Sequence, residues 1–175
     1  MNSFLNPEQV LQELDIEENM SAAEFGCGSG KFAFALARHL ADSSVYAIDI
    51  QEGPLSVLRA AAARQGINNI RTICSDLESK NGSTLSDDSL DLILIPNLLF
   101  QVEDKQAVVN EANRVLKKNG RVIIIDWDPN ASLGPEKERK VTMEEVKKIA
   151  EQVGFDFKKE IEVGAFHYGL LFDKK

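Results

Sequence analysis

Several kinds of residue are scarce in this sequence of 175 residues, and each scarcity excludes a class of protein. The two cysteines, Cys27 and Cys74, form neither a disulfide framework nor a metal-binding spacing, so we expect no metal site. No apolar run approaches the roughly 20 residues that a transmembrane helix requires. The opening stretch MNSFLNPEQV has neither a basic region nor a hydrophobic segment. We therefore expect no signal peptide and a cytoplasmic location.

Basic residues are in the minority, because 20 lysines and arginines face 28 aspartates and glutamates and leave a net charge of −8. Nucleic-acid binding normally requires a basic patch, so we expect no nucleic-acid partner. Hydrophobic residues make up 43% and charged residues 27%, which is ordinary for a globular protein. We find no repeat, low-complexity tract or linker, and we predict a single domain over residues 1–175 that has no membrane partner.

Short apolar strands alternate with helices along the chain. Strands are predicted at SAAEF, SVYAID, NIRTICS, SLDLILIP and RVIIIDW, and the helices that separate them include KFAFALARHLA, PLSVLRAAAARQG and DKQAVVNEANRVLKKNG. A last helix, TMEEVKKIAEQVG, precedes two strands, FDFKKEIEV and FHYGLLFD, that must form a hairpin. This order predicts an α/β fold, a doubly wound and mostly parallel Rossmann-like sheet with helices on both faces.

Capping residues set the expected ends of several helices. Asn6 is placed to cap a first helix that should run to about Leu14. Thr142 and Glu145 have the spacing of a capping box at the start of the last helix. Gly120 is expected to end the helix that precedes the fifth strand.

Small and polar residues follow the predicted strand ends, where ligands bind in a sheet of this kind. Closely spaced glycines allow a sharp turn and leave room for a ligand, and the helix that follows them attracts anions or hydrogen-bond acceptors. Many α/β proteins use such glycines only to turn, but acids at the second and third strand ends favour a nucleoside ligand. The residues on this rim are Gly26, Gly28, Gly30, Asp49, Asp76, Asn97 and Asp126.

The glycine pattern differs from that of a dinucleotide-binding loop. The fingerprint G-x-G-x-x-G would need a glycine where Lys31 stands, and the sequence has no G-x-x-x-x-G-K-[ST] motif for a nucleoside triphosphate. The pattern that is present, E-x-G-x-G-x-G, begins at Glu24.

The sequence resembles class I S-adenosylmethionine-dependent methyltransferases in five successive segments: AEFGCGSGKFAFALA, VYAIDI, CSDLES, DLILIPNLLFQ and EANRVLKKNGRVIIIDW. The spacing is most similar to the small methyltransferase domains of the ubiquinone- and menaquinone-biosynthesis type. The resemblance implies seven strands, with the last strand antiparallel between strands five and six. It divides the domain into an N-terminal helix or cap at 1–20, a cofactor-binding core at 21–127, and a substrate loop, last helix and hairpin at 128–175.

The resemblance implies S-adenosylmethionine as the cofactor and a role for each matching residue. Glu24 would approach the methionine amino group, and Asp49 would hold both ribose hydroxyls. Asp76 would accept from the adenine amino group, next to Leu77. The set implied for cofactor binding is Glu24, Gly26, Cys27, Gly28, Gly30, Asp49, Ile50, Asp76, Leu77 and Asn97.

The reaction implied is direct displacement of the methyl group by a nucleophile of a small-molecule acceptor. Alignment and exclusion of water are its main requirements, and a general base is needed only when the nucleophile holds a proton. Asn97 follows strand four, where it either faces the transferred methyl group or only forms a turn. Asp126 and His167 are candidate catalytic groups on the same rim, and His167 either faces the cleft or merely fills a strand end. Tyr168 should point to the opposite face from His167.

Two functions remain open at this point. The sequence lacks the [DN]-P-P-[YF] motif after strand four, which disfavours methylation of adenine or glutamine nitrogen. It also has little chain outside the core to form a lid, so a second copy in a homodimer or a partner protein would have to cover the cleft. The alternative to an enzyme is a regulatory or scaffolding subunit that binds S-adenosylmethionine without catalysis.

The charged run GPEKERK is either a solvated loop or a substrate-gripping segment.

Overall fold

The computed structural model describes residues 4–175, so the part of the predicted 1–20 segment that precedes Phe4 lies outside the described residues. Those residues contain one seven-stranded sheet with the strand order β3-β2-β1-β4-β5-β7-β6. The strands are β1 (Ala22–Phe25), β2 (Val45–Asp49), β3 (Ile70–Cys74), β4 (Leu90–Pro96), β5 (Leu116–Trp127), β6 (Phe155–Ile161) and β7 (His167–Lys174). The helices are α1 (Pro7–Gln12), α2 (Lys31–His39), α3 (Glu52–Gln65), α4 (Lys105–Val115) and α5 (Met143–Val153), with one turn of 3-10 helix at Lys137–Arg139.

Strand β7 lies between β5 and β6 and is antiparallel to both, whereas β1 to β5 run parallel to one another. The predicted seven-stranded Rossmann-like fold and its final hairpin are therefore confirmed. Because β7 runs against β5, the start of β7 at His167 lies beside the end of β5 at Trp127. The carboxyl ends of five parallel strands and the beginning of β7 thus share one edge of the sheet.

Successive residues of the central strands point alternately to two hydrophobic cores, one on each face of the sheet. Leu92 and Leu94 of β4 belong to the core that includes α1, α2 and α3, whereas Ile93 and Ile95 belong to the core that includes α4 and α5. Burial of each such side chain contributes about 1.5–3 kcal/mol. A register shift of one residue in β4 would move these side chains to the wrong core. The register therefore fixes where the loop after β4 lies relative to the ends of the neighbouring strands.

The first helix begins as predicted but ends earlier. The side-chain oxygen of Asn6 accepts from the backbone N–H of Glu8 at 3.0 Å, and the helix ends at Gln12 rather than near Leu14. Leu14 donates its N–H to the carbonyl of Leu11 at 3.2 Å, so the chain leaves the helix through a tighter turn.

The other caps follow the sequence closely. The hydroxyl of Thr142 accepts from the N–H of Glu145 at 3.1 Å, which confirms the predicted start of α5. Gly66 ends α3 in the left-handed conformation at φ +68°. A cap that the sequence reasoning did not assign is Asp104, whose carboxylate accepts from the N–H of Ala107 at 2.9 Å at the start of α4.

The predicted end of α4 at Gly120 is wrong, because the helix ends at Val115. The carbonyl of Val115 accepts from the N–H of Ser89 at 2.8 Å, so it bonds to the segment directly before β4 instead of continuing the helix. Gly120 lies within β5, next to Asn119 at φ +63°, where the pairing with β4 shifts register. A Cβ on Gly120 would lie 2.8 Å from the carbonyl oxygen of Lys117, so the glycine allows a close backbone approach within the strand and is not a helix cap.

Two further expectations concern membrane-spanning helices and the division of the chain into segments. Within residues 4–175, no helix combines the length and the apolar character needed to cross a membrane. The division of a single domain into segments 1–20, 21–127 and 128–175 stays a prediction.

Candidate functional site

The carboxyl edge of the sheet opens into a cleft with two adjoining lobes. The first lobe, of about 420 Å³, lies among the loops that follow β1, β2, β3 and β4. The second lobe, of about 360 Å³, lies between the loop after β1, the segment before α1 and the ends of β4 and β5. Gly26, Gly28 and Gln101 line both lobes, so the lobes meet along these residues.

The three glycines of the loop after β1 all have positive φ, but their surroundings differ. A Cβ on Gly26 (φ +69°) would lie 2.8 Å from Cδ1 of Leu98 in the loop after β4. A Cβ on Gly30 (φ +75°) would lie 2.2 Å from Cδ1 of Leu58 in α3. A Cβ on Gly28 (φ +48°) would meet no atom within 4 Å among the described residues other than its own chain neighbours. Gly28 therefore opens to the cleft, whereas Gly30 lines neither lobe and its lack of a side chain serves the packing of α3.

The carboxylate of Asp49 joins the end of β2 to the glycine loop. Its Oδ2 accepts from the N–H of Gly28 at 2.8 Å, and its Oδ1 accepts from the N–H of Gln51 at 2.9 Å. Each carboxylate oxygen can accept more than one hydrogen bond, and Asp49 lines the first lobe. Two neighbouring acceptors at this place suit a ligand with two adjacent hydroxyl groups.

The far side of the first lobe has a polar and an apolar part. The carboxylate of Asp76 accepts from the N–H of Glu78 at 2.9 Å and from the hydroxyl of Ser79 at 3.2 Å. Leu77 is buried beside it, while Ile50 at the rim has 63% of its surface exposed. An acceptor next to two apolar side chains suits a flat ring that carries a donor on its edge.

Glu24 is a buried acid that lines the second lobe. Its Oε2 accepts from the N–H of Ala33 at 2.7 Å, in the first turn of α2. Burial raises the pKa of Glu24 to about 8, although the N–H groups of Ala33 and Phe32 oppose this shift. A desolvated carboxyl gains from a nearby cation, because a positive charge stabilises its ionised form. Glu24 therefore suits a ligand that carries a cationic group.

Trp127 and His167 form one wall of the second lobe. They lie opposite each other in the β5–β7 pairing, and their ring centroids are 4.1 Å apart. Both ring nitrogens of His167 are buried and have no hydrogen-bond partner within residues 4–175. Burial lowers the pKa of His167, which favours the neutral imidazole. His167 lies at the cleft, and its catalytic role stays a prediction.

Asn97 stands where β4 ends and lines the second lobe. It has φ +53°, and its N–H donates to the carbonyl of Ile125 at 2.7 Å. Its side-chain oxygen is buried and unpaired in the part of the chain that the structure describes. A left-handed backbone and an unpaired buried oxygen both cost folding free energy. A role as a simple turn residue accounts for the backbone of Asn97 but not for the buried oxygen of its side chain.

Asp126 does not lie in the cleft with His167. Its carboxylate is fully buried and accepts from the N–H of Phe100 at 3.2 Å and of Trp127 at 2.8 Å. Burial raises its pKa to about 6, against these donors. Because side chains alternate along β5, Asp126 shares a face with Tyr168 while Trp127 shares the cleft face with His167. The expectation that Asp126 reaches the cavity lined by His167 is therefore corrected. Asp126 instead binds the N–H of Phe100 in the loop after β4, on the opposite face of β5.

The remaining lining residues include some that the sequence reasoning missed. Cys27 lines the second lobe, and burial raises the pKa of its thiol, so it packs as a neutral side chain. Leu98 and Gln101 line the cleft but were not assigned a role, although both lie in the quoted segment DLILIPNLLFQ. Phe4 also lines the second lobe. Between residues 4 and 175, no group of three or more His, Cys, Asp or Glu side chains is placed to hold a metal ion.

Comparison with known proteins gives a consistent set of relatives. Residues 16–167 match the family model described as "Methyltransferase domain". Methyltransferase GfsG of Streptomyces halstedii is 29% identical over 119 residues, which cover 68% of this chain and 42% of that protein. Demethylmenaquinone methyltransferase of Geobacillus kaustophilus is 26% identical over 124 residues, which cover 68% of this chain and 50% of that protein. The chain thus spans about half the length of these curated relatives.

A solved structure covers more of the chain. The crystal structure of a SAM dependent methyltransferase from Aquifex aeolicus has a TM-score of 0.89 and 26% identity, and the match covers 98% of this chain and 91% of that one. The resemblance that the sequence predicted is confirmed by this structure and by the family match.

Proposed function

This chain belongs to the methyltransferase-domain family, and we propose that it binds S-adenosylmethionine and transfers the methyl group directly to a small-molecule acceptor. The observation that carries the proposal is the meeting of the two lobes along Gly26 and Gly28. One lobe offers the paired acceptors of Asp49, and the other offers the aromatic wall of Trp127. A nucleoside in the first lobe would direct its sulfonium toward the second.

The residues of the first lobe, together with Glu24 of the second lobe, fit this cofactor. Asp49 would accept from the two ribose hydroxyls, and Asp76 would accept from the adenine amino group. Ile50 would cover the adenine ring from the rim. Glu24 would face the ammonium group, whose charge would favour the ionised carboxylate. When bound, the cofactor supplies an electrophilic methyl group that needs no further activation.

The residues of the second lobe would prepare the acceptor. Trp127 provides an apolar surface that orients the acceptor and excludes water, which are the main demands of a direct displacement. Neutral His167 would take the proton of an acceptor that carries one, through whichever ring nitrogen turns toward it. The oxygen of Asn97 would accept a hydrogen bond from the same acceptor.

The test is methyl transfer from labelled S-adenosylmethionine to a panel of acceptors. Quinols come first in the panel because the Geobacillus relative is named a demethylmenaquinone methyltransferase, and phenols, thiols, amines and peptides follow. We expect S-adenosylhomocysteine to bind and label to reach one class. Failure of S-adenosylhomocysteine to bind the folded protein would refute the proposal. Binding with no transfer to any class would instead favour the regulatory or scaffolding alternative, which these relatives do not support.

Two further proposals concern the surroundings of the protein. The cleft is open, so we propose that a second copy or a partner protein covers it when the acceptor is bound. Light scattering with and without S-adenosylhomocysteine would detect a dimer, and a monomer in both conditions would remove that option. A cytoplasmic location also stays a proposal, which localisation of the tagged protein in cells would test.

A further inference from the structure

Residues 128–134 form a loop that begins directly after Trp127 and passes back over it. At its start, the N–H of Asp128 donates to the carbonyl of Phe166 at 2.9 Å, which continues the pairing of β5 with the chain before β7. At the far end of the connection to α5, the carbonyl of Val141 accepts from the hydroxyl of Tyr168 at 2.9 Å. One end of the connection is thus attached to the residue directly before β7 and the other to β7 itself, on either side of His167.

The ammonium group of Lys140 holds the loop between these anchors. Its Nζ donates to the carbonyls of Asp128 at 3.2 Å, Ala131 at 2.8 Å and Leu133 at 3.0 Å. A lysine ammonium has three protons, so three carbonyls use its full donor capacity. Of the Asp and Glu carboxylates in residues 4–175, none forms a salt bridge with Lys140. The charge is therefore committed to the backbone of this loop.

The loop at residues 128–134, which Lys140 holds, packs against the indole of Trp127. A Cβ on Gly134, at φ +102°, would lie 2.5 Å from Cε3 and 2.6 Å from Cδ2 of the indole, so the glycine backbone is packed against the ring. The same indole contacts the imidazole of His167 and lines the second lobe. The position of the loop and the position of the wall are thus coupled through direct contacts.

We propose that Lys140 is a positioning residue for the second lobe: its three carbonyl contacts hold residues 128–134 against Trp127 and thereby fix the wall on which the acceptor lies. The charged run GPEKERK is then not a solvated loop throughout. Its last residue organises a neighbouring loop while Lys137 remains exposed. The inference rests on the proposed function only in assigning the second lobe to the acceptor.

The test uses Trp127 as its own reporter, because it is the single tryptophan of the sequence. Lys140→Met keeps most of the side-chain length and removes the three donors, and Lys137→Met makes the same charge change on the exposed 3-10 turn. In Lys140→Met we expect the emission maximum to move to longer wavelength and acrylamide quenching to increase. Lys137→Met should behave like the wild type. The Kd for S-adenosylhomocysteine, measured by calorimetry, should stay within about twofold in both variants because the residues proposed to hold the cofactor are unchanged.

Several outcomes would overturn the inference. Wild-type emission and quenching in folded Lys140→Met would be one such outcome. An equal shift of the emission maximum in Lys137→Met would be another, since it would indicate a general charge effect. A parallel loss of S-adenosylhomocysteine affinity in Lys140→Met would show an effect on the whole fold. If Lys140→Met does not fold, Gly134→Ala leaves the lysine intact and drives a methyl group into the indole, so unchanged emission would also refute the coupling. Failure of the wild type to bind S-adenosylhomocysteine would refute the proposed function instead, and the fluorescence comparison would still decide the role of Lys140.

Discussion

The backbone N–H of Gly28 donates a 2.8 Å hydrogen bond to Oδ2 of Asp49, so this bond joins the glycine loop to the end of β2. Part of the shape of the loop is therefore set by a contact within the protein. The same bond means that a change at either residue affects both the shape of the loop and the contacts it offers.

Replacing Asp49 should weaken cofactor binding. Asp49→Ala removes the acceptors that we propose for the ribose hydroxyls and the acceptor for the N–H of Gly28, and we expect a loss of about 1.5–3 kcal/mol in binding free energy for S-adenosylhomocysteine. Asp49→Asn keeps one acceptor oxygen and should lose less. Calorimetry provides the measurement, and Asp42→Ala, an exposed acid away from both lobes, is the matched control. Unchanged affinity in folded Asp49→Ala would remove Asp49 from the site.

Replacing Gly28 should abolish binding while the fold survives. Gly28→Val places a Cβ where no described residue beyond the chain neighbours lies within 4 Å but where the cofactor is expected. The positive φ adds strain of about 1–3 kcal/mol to the folded state. Gly66→Val is the control, because Gly66 also has positive φ and open space around it but ends α3 away from the cleft. Thermal melting should show similar losses in both variants, and only Gly28→Val should lose S-adenosylhomocysteine binding. Normal binding by Gly28→Val would reduce the loop to a turn.

The buried carboxyl of Glu24 should make stability depend on pH. Its folded pKa is about 8, above the ordinary value of 4.5, so between these values the folded state holds a proton that the unfolded state has lost. Stability from this group is fully present below about 4.5 and is lost as the pH rises through about 8. The melting temperature should therefore fall between about pH 5 and about pH 8.

Glu24→Gln isolates this contribution. Glutamine keeps an oxygen that can accept from the N–H of Ala33 at the start of α2, but it does not titrate. The fall in melting temperature over the same pH range should be smaller in this variant. An identical fall in both proteins would assign the pH dependence to other groups, among them Asp126, whose raised pKa of about 6 acts in the lower part of the range.

Replacing His167 should separate stability from catalysis. His167→Phe keeps an aromatic ring beside Trp127 and removes two buried nitrogens that have no partner in the described chain. The free energy of unfolding should stay the same or rise by up to about 1 kcal/mol, and affinity for S-adenosylhomocysteine should not change. Once an acceptor is known, methyl transfer should fall. A wild-type rate of transfer across the neutral pH range would make His167 structural.

Local sequence signals predicted most of the fold because they act over a few residues. Alternating apolar strands and caps such as Thr142 located the elements, whereas the place of β7 was implied by the resemblance to a known family. The end of α4 could not be predicted in this way. Its carbonyl at Val115 pairs with Ser89, far away in the sequence, and the sequence around Gly120 does not distinguish a helix cap from an irregular strand.

The candidate site shows the same division. Position at a strand end predicted that Asp49 and Asp76 line the cleft, because parallel strands bring their ends to one edge. It could not tell Gly28 from Gly30, since only the packing of Leu58 shows that Gly30 faces α3. It also could not tell Asp126 from Trp127, because one residue along a strand reverses the face.

The place of β7 between β5 and β6 has a consequence for the order of folding. Strand β6 reaches the sheet only through β7, and β7 pairs with β5 across the whole of α5 and its flanking loops. An isolated two-stranded hairpin is marginally stable in water, so β6 should gain lasting protection only once β7 has paired with β5. In pulsed hydrogen exchange we expect amide protection in β6 to appear no earlier than in the β5–β7 pairing, and earlier protection of β6 would contradict this. The wall that Trp127 and His167 form would then be complete in every molecule in which β6 has joined the sheet.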